Sequence, residues 1–348
     1  MARLKKTQNK EEVVGQDGDR LSKILSAFDK KSKDISDVIV FSEDTVFNNI
    51  PVIPSGILSL DKALGIGGFP QGRIVEIFGL ESSGKSSICL QTIASAQKQG
   101  GLCAYVDVEH AFDASYARDL GINLSKLLFV QPDSGEQALN TVERLIENMR
   151  GGDLIVVDSI AALVPQAELD GEMNDQQIGL QARLLSKAMR KLAGIISKSG
   201  VCLIFVNQLR QKVGVFFGNN EVTTGGNSLK YYSSIRLDVR KGALIKKNEV
   251  PVGNKIRIKV VKNKLATPFS EVETDLIYGK AIPRELDILI LALDQNIIQK
   301  SGSWLMYDGK NIGQGEHNVY QYMVSTPEFV DELEAKLKET IFKKPEGY

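Results

Sequence analysis

The chain has 348 residues, in which 43 lysines and arginines balance 43 aspartates and glutamates, so the formal net charge at neutral pH is zero. A hydrophobic share of 43% with 25% charged residues excludes a disordered or collagen-like chain and fits a folded globular protein of about two domains. The longest apolar runs, such as 154–157 and 288–293, fall far short of the roughly 18–20 residues that span a bilayer, so no transmembrane helix is expected. Nucleic-acid binders usually carry a basic excess, and the balanced total argues against one unless the two signs are segregated along the chain.

Residues 1–47 are polar and charge-mixed, with one short helical pattern in which Leu21, Ile24, Leu25 and Phe28 share a face. Such a segment cannot bury its face alone and must pack on the main domain or on another copy, which makes it a candidate oligomerisation segment. The start, Met1-Ala2-Arg3-Leu4-Lys5-Lys6, has no apolar core of the kind a secretory signal needs, and a cytoplasmic location is expected. Residues 48–283 alternate β-rich runs with helical patterns, the signature of an α/β fold with a mostly parallel sheet. Strands are expected at 73–78, 102–108, 154–157, 201–206, 235–239 and 255–261, the last two alternating apolar with charged residues as strands with one wet face do. Residues 284–348 change character, with a helix through 286–293, a Gly-rich middle around Trp304, Tyr307, Gly309 and Gly313, and an amphipathic helix over 326–342. These predict a small α+β C-terminal domain. Cys89, Cys103 and Cys202 are odd in number, far apart and flanked by apolar residues, which fits buried thiols in a reducing compartment rather than a disulfide framework or a zinc site.

Directly after the first core strand comes Gly79-Leu80-Glu81-Ser82-Ser83-Gly84-Lys85-Ser86, followed by a helical run through Leu90, Ile93 and Ala96. This is the G-x-x-x-x-G-K-[ST] pattern in a strand, loop, helix setting. Glycines let the backbone curl so that its N–H groups face a phosphate, and the helix terminus adds positive potential. Lys85 can reach the terminal phosphates, and Ser86 can offer its hydroxyl to Mg2+. A buried apolar strand ends at Asp158, where phosphate-loop enzymes hold the same ion. The strand through Val106 ends in Glu109-His110, about 25 residues after Lys85, the length of one crossover. Ligands gather at the carboxyl ends of parallel strands, so Glu109 is placed as a general base for water, while Asp107 points to the opposite face from Val106 and reads as structural.

The zero net charge turns out to be a cancellation: residues 176–270 carry a surplus of 15 positive charges, and the remainder carries an equal negative surplus. Within the basic segment a helix over 177–198 puts Leu184, Leu185, Ala188, Met189, Leu192 and Ile196 on one side and Arg183, Lys187, Arg190 and Lys198 on another. Long polar loops at about 165–177 and 209–227 flank it, and loops of that length in a folded domain are usually functional or disordered. Basic side chains neutralise phosphate, glycine amides donate to it, and apolar side chains wedge between bases.

Taken in order, Leu58-Ser59-Leu60-Asp61, Gly72-Arg73-Ile74-Val75-Glu76-Ile77-Phe78-Gly79, Glu81-Ser82-Ser83-Gly84-Lys85, Val106-Asp107-Val108-Glu109-His110-Ala111, Gln131-Pro132-Asp133, Thr223-Thr224-Gly225-Gly226-Asn227 and Val260-Val261-Lys262-Asn263-Lys264 resemble the bacterial RecA recombinase family, almost continuously over residues 53–279. The resemblance implies a P-loop NTPase core of RecA type. It further implies an ATP-driven helical filament on single-stranded DNA that pairs it with homologous double-stranded DNA, exchanges strands, and acts on the SOS repressor. It assigns Glu109 to water activation, Gln208 to sensing the terminal phosphate, and Lys262 and Lys264 to reaching the neighbouring subunit's phosphates. ATP contacts fall on Gly79, Glu81, Ser82, Ser83, Gly84, Lys85, Ser86 and Ser87, with Asp113 and Tyr116 against adenine. DNA contacts fall on Arg183, Ser186, Arg190, Arg210, Lys212, Gly225, Gly226 and Asn227, with Val213 as an apolar wedge. The chain departs from the pattern at Asp29-Lys30-Lys31-Ser32, where relatives have a Gly-Lys-Gly turn, at Leu80 and Ser86-Ser87 in the loop, at Gln177, and in a tail without strong acidity. A ring-forming motor or helicase on the same core, and an ATP-switched DNA scaffold, are the alternatives.

Overall fold

The computed structural model describes residues 50–172, 179–211 and 221–342. The expected helix around Leu21 to Phe28, Gln177, Lys212, Val213 and the tail after Phe342 lie outside the described residues.

A short strand β1 (Val52–Ile53) pairs antiparallel with β2 (Phe69–Pro70). The main sheet is formed by β3 (Ile74–Gly79), β4 (Cys103–Asp107), β5 (Leu127–Val130), β6 (Leu154–Asp158), β7 (Cys202–Gln211), β8 (Glu221–Thr223), β9 (Ile235–Lys247), β10 (Val250–Asn263) and β11 (Glu271–Ile277). Its order is β11-β10-β9-β3-β7-β6-β4-β5, with β8 paired to the far end of β7. The six strands from β9 to β5 run parallel, while β8, β10 and β11 pair antiparallel.

The central strands are buried along their whole length, as parallel strands covered on both faces must be. Their side-chain alternation sorts two cores. Val75, Ile77, Cys103, Tyr105, Leu154, Val156, Cys202 and Ile204 face the helix Lys85–Lys98. Ile74, Ala104, Val106, Ile155, Val157, Leu203 and Phe205 face the helices Gly135–Asn148 and Leu180–Ser199. All three cysteines are buried, as expected.

The expected core strands are present, but β5, β8 and β11 escaped the sequence reading. In β11 the residues Val272 and Thr274 are buried between exposed Glu271 and Glu273, and the acidic residues, poor strand formers, hid that alternation. β9 and β10 extend into a long hairpin turned by Asn248 and Glu249, both at positive φ as a tight hairpin turn requires. The Gly-rich middle of the C-terminal part is a three-stranded sheet, β12 (Ile298–Ser301), β13 (Trp304–Tyr307) and β14 (Lys310–Gln314). It packs with the helices Arg284–Asp294, Gly315–Ser325 and Pro327–Phe342.

The helix Leu58–Leu64 joins the two parts: Leu58 enters the C-terminal core, and the backbone N–H of Ser59 donates to Asp287 Oδ2 at 3.1 Å while its hydroxyl donates to Asp287 Oδ1. One turn away Asp61 accepts from the Ser55 N–H at 2.9 Å. Burial pushes the Asp61 carboxyl up to about 7; the Ser55 donors and Lys338 oppose this, and the Asp287 carboxylate adds to it. A raised folded-state value means that Asp61 contributes stability below about pH 4 that is lost as the pH rises through about 7. Asn can accept the same Ser55 bond without ionising, so Asp61→Asn should gain stability relative to the native chain between pH 4 and pH 8. We expect a few kcal/mol, read by urea unfolding at each pH; parallel pH curves would refute the assignment.

Candidate nucleotide and nucleic-acid site

Pairing register decides which strand ends share the carboxyl edge of the sheet. Gly79 of β3 lies opposite Gln208 of β7, and Asp107 of β4 lies opposite Asp158 of β6, so the loops after these four strands open onto one crevice. Gly79 has no room for a side chain, because a Cβ there would stand 2.1 Å from the Val239 carbonyl oxygen. Gly84 sits at φ +97, and a Cβ on it would meet Leu276 Cδ1 at 2.6 Å, so Leu276 roofs the loop. The helix Lys85–Lys98 follows with no acidic residue in its first turn and no side chain capping its amino terminus, which leaves its N–H groups to an anion.

Two details fit a phosphate group. The Ser83 hydroxyl is buried in the loop with no hydrogen-bond partner among the described residues, an arrangement that costs free energy until something supplies one. Lys85 is buried, with Nζ donating to the Leu80 carbonyl at 2.7 Å. Burial lowers its pKa, while Asp158 and Glu109 pull the other way.

Asp158 Oδ2 accepts from Ser86 Oγ at 2.6 Å and from the Tyr105 hydroxyl at 2.8 Å. Its burial raises its pKa, the two hydroxyl donors lower it, and the Glu109 carboxylate raises it again. Ser86 and Asp158 thus form a pair of hard oxygen donors suited to Mg2+, an ion that takes few protein ligands and completes its shell with phosphate oxygens and water. No cluster of three or more metal-binding side chains occurs among the described residues.

Glu109 is exposed in the crevice, and its Oε1 accepts from Gln208 Nε2 at 2.7 Å and from the Ser159 hydroxyl. Asp107 is structural, as expected: it accepts from the Ala111 and Phe112 N–H groups, both at 3.2 Å, and from Gln131 Nε2 at 3.1 Å, pinning the loop that carries Glu109. Asp113 caps the helix Ala114–Asp119 through the Ser115 and Tyr116 N–H groups, and the Tyr116 hydroxyl donates to Ser87 Oγ at 2.9 Å. Asp113, Tyr116 and Ser87 are therefore one group beside the loop. Glu81 and Ser82 are exposed on its rim.

Gln208 also leads away from the crevice. Its carbonyl accepts from the Thr224 N–H at 3.3 Å, and the neighbouring Asn207 donates to the Thr224 carbonyl at 3.1 Å and to the buried Glu76 at 2.9 Å. Thr224 opens the stretch Gly225, Gly226, Asn227, which packs on the helix Leu180–Ser199. A Cβ on Gly225 would stand 2.2 Å from Leu185 Cδ1, so only glycine allows that approach. On the exposed side of the same helix Arg183, Ser186 and Arg190 line up, and Arg190 Nη1 donates to Ser186 Oγ at 3.2 Å. Arg210 is exposed near the end of β7. Gly225 and Gly226 thus approach this helix at Leu185 and Ala182, while Arg183, Ser186 and Arg190 occupy its exposed side.

Lys262 and Lys264 are not brought to the crevice. Lys262 pairs in register with Arg236, and Arg236 with Glu76, which places it about 10 Å along the sheet from Gly79 and two strands away. Lys262 Nζ donates to the carbonyls of Lys230 at 2.6 Å and Tyr231 at 3.1 Å, and Lys264 Nζ to Tyr231 at 3.2 Å. Burial and the nearby charges of Lys264 and Arg236 hold the Lys262 ammonium down to about 8.

Sequence reading missed Ser159, Tyr105, Leu276, Asn254 and Tyr278. Asn254 carried a signal: it occupies the buried face of β10 shared with Ile256 and Ile258, it donates to the Tyr278 hydroxyl at 2.7 Å, and its own Oδ1 is buried without a partner among the described residues.

A family model described as the RecA N-terminal domain matches residues 19–283, and one described as the RecA C-terminal domain matches residues 286–342. The chain is similar to Protein RecA 2 of Myxococcus xanthus, 54% identical over 300 residues that cover 86% of this chain and 83% of that protein. It is 55% identical to Protein RecA of Borrelia hermsii over 88% of this chain and 87% of that protein. To Protein RecA of Geobacter sulfurreducens it is 52% identical over 91% and 92%.

Replacing Lys85 with Ala removes the buried cation of the loop. Titration with a fluorescent ATP analogue should show affinity reduced by more than about tenfold. Unchanged affinity would dismiss the loop as the phosphate site.

Proposed function

Because this chain belongs to the RecA family, and is accordingly a DNA-dependent ATPase and recombinase that binds nucleotide and DNA and assembles with copies of itself, we propose the following division of labour among its residues. Neither the ring motor nor the switched scaffold is favoured by this kinship. The amides of Gly79 to Gly84 with Lys85, Ser86 and Ser87 cradle the phosphates of ATP, and Asp113 and Tyr116 flank the base. Ser86 and Asp158 hold Mg2+, which supplies positive charge against the phosphate oxygens when bound. Glu109 orients the attacking water and takes its proton, while Lys85 and the loop amides take up the charge that builds on the terminal phosphate.

The observation that carries this reading is the hydrogen bond from Gln208 Nε2 to Glu109 at 2.7 Å, on a residue whose carbonyl accepts from Thr224, at the start of the glycine stretch. A shift of the stretch from Thr224 to Asn227 on binding single-stranded DNA moves Gln208, and with it the base. Arg183, Ser186, Arg190, Arg210, Lys212, Gly225, Gly226 and Asn227 contact the DNA, with Val213 as a wedge. The same surface admits homologous double-stranded DNA for exchange. Lys262 and Lys264, remote from their own crevice, act on the phosphates of the next subunit in a helical filament. Residues 1–47 serve oligomerisation, 48–283 form the ATPase core and 284–348 a C-terminal domain. The protein works in the cytoplasm, where its filament also stimulates cleavage of the SOS repressor. No helix among the described residues is long and apolar enough to cross a membrane.

Steady-state ATP hydrolysis with and without single-stranded DNA tests the base: Glu109→Gln should lose a factor of about 10² to 10⁴ with DNA present while still binding nucleotide. Native rates in the variant would remove Glu109 from the mechanism. Arg183→Ala with Arg190→Ala should weaken single-strand binding and flatten the dependence of log K on log salt by about 1.4, at about 0.7 per lost phosphate contact. An unaltered slope would return that helix face to solvent.

A further inference from the structure

On the reading that Glu109 is the base, we infer that Ser159 is a positioning residue for the reaction, holding the Glu109 carboxylate from a side that does not depend on the DNA loop. Ser159 is fully buried, and its hydroxyl donates to Oε1 of Glu109, the oxygen that also accepts from Gln208. With both donors on one oxygen, Oε2 is left to face water.

The two donors are anchored differently. Gln208 sits near the end of β7 and is tied to Thr224, at the start of the glycine stretch. Ser159 follows Asp158, whose carbonyl accepts the N–H groups of Val108 at 2.8 Å and Glu109 at 3.4 Å and whose carboxylate holds Ser86 and Tyr105. One donor therefore moves with the loop, and the other belongs to the phosphate side and the buried sheet. When Gln208 is drawn away, Ser159 still fixes the carboxylate, and the fixation is mutual. Rotating Glu109 out of the site would leave a fully buried hydroxyl without its acceptor, and such an orphan is costly. It would also release an exposed, long side chain to rotamers that cannot reach the water. The catalytic geometry thus survives the movement that reports DNA.

The test compares Ser159→Thr and Ser159→Val, which share one shape but differ in the hydroxyl, by ATP hydrolysis on single-stranded DNA and by nucleotide affinity. Ser159→Thr should keep most of the native kcat. Ser159→Val should lose about tenfold in kcat, with KM for ATP and nucleotide affinity within about twofold of Ser159→Thr. In a Glu109→Gln background the two should turn over equally, since a residue acting through Glu109 has nothing left to position. Equal kcat for Thr and Val in the native background, or the same tenfold gap in both backgrounds, would overturn the inference. The base assignment fails separately: it falls if Glu109→Gln alone retains the native rate, whereas a slow Glu109→Gln beside equal Thr and Val variants sinks only the role of Ser159.

Discussion

A parallel ladder leaves no freedom about which strand ends lie side by side. Once Gly79 is paired with Gln208 and Asp107 with Asp158, the glycine loop, the strand end carrying Glu109, the Asp158 carboxylate and the strand carrying Gln208 open onto the same edge. A slip of one residue in either pairing would turn every side chain of the slipped strand to the opposite face and exchange its two core surfaces. The packing that forbids this is extensive, because the central strands are buried on both sides by helices. The site therefore inherits its geometry from the core, and the loops add only the final side chains.

Charge is arranged with the same economy of movement. Lys85 is held inside its loop against two carboxylates, and each carboxylate is met by hydroxyl or amide donors rather than by a direct salt bridge. Hydrogen bonds of that kind can be exchanged for bonds to phosphate and metal with little reorganisation, which is the condition for preorganised electrostatics. Ion pairs are instead found away from the crevice, as between Arg236 and Glu76 at 2.5 Å, or Arg240 with Asp238 and Glu221, each at 2.6 Å.

Much of this was legible in the residues. The phosphate loop announces itself because its chemistry demands glycine, lysine and hydroxyl at set spacing, and the buried strands announce themselves by continuous apolar runs. The basic helix face around Arg183 and Arg190 was visible once charge was counted by segment. Contacts between residues distant in sequence were not legible. Nothing local reveals that Ser159 meets Glu109 fifty positions away or that Leu276 roofs Gly84, since such contacts follow from topology. β11 stayed hidden for a different reason, its acidic residues masking a period-two pattern that only the partner strand β10 makes meaningful. Lys262 and Lys264 were assigned to a neighbour's phosphates by likeness alone, and the register shows only that their own crevice is out of reach.

That separation gives any head-to-tail array of these subunits a polarity. If Lys262 and Lys264 act on the neighbouring crevice as proposed, every internal junction joins one crevice to one pair of lysines, and the array ends on a crevice with no lysines at one tip and lysines with no crevice at the other. The two tips are then chemically unlike. Nucleotide bound at the first tip would lack the groups supplied in trans and turn over slowly, whereas the last subunit at the second tip would complete a junction with its inner neighbour. Growth and loss of subunits would then proceed at different rates at the two ends, so that a direction along the DNA follows from where two lysines sit on a strand.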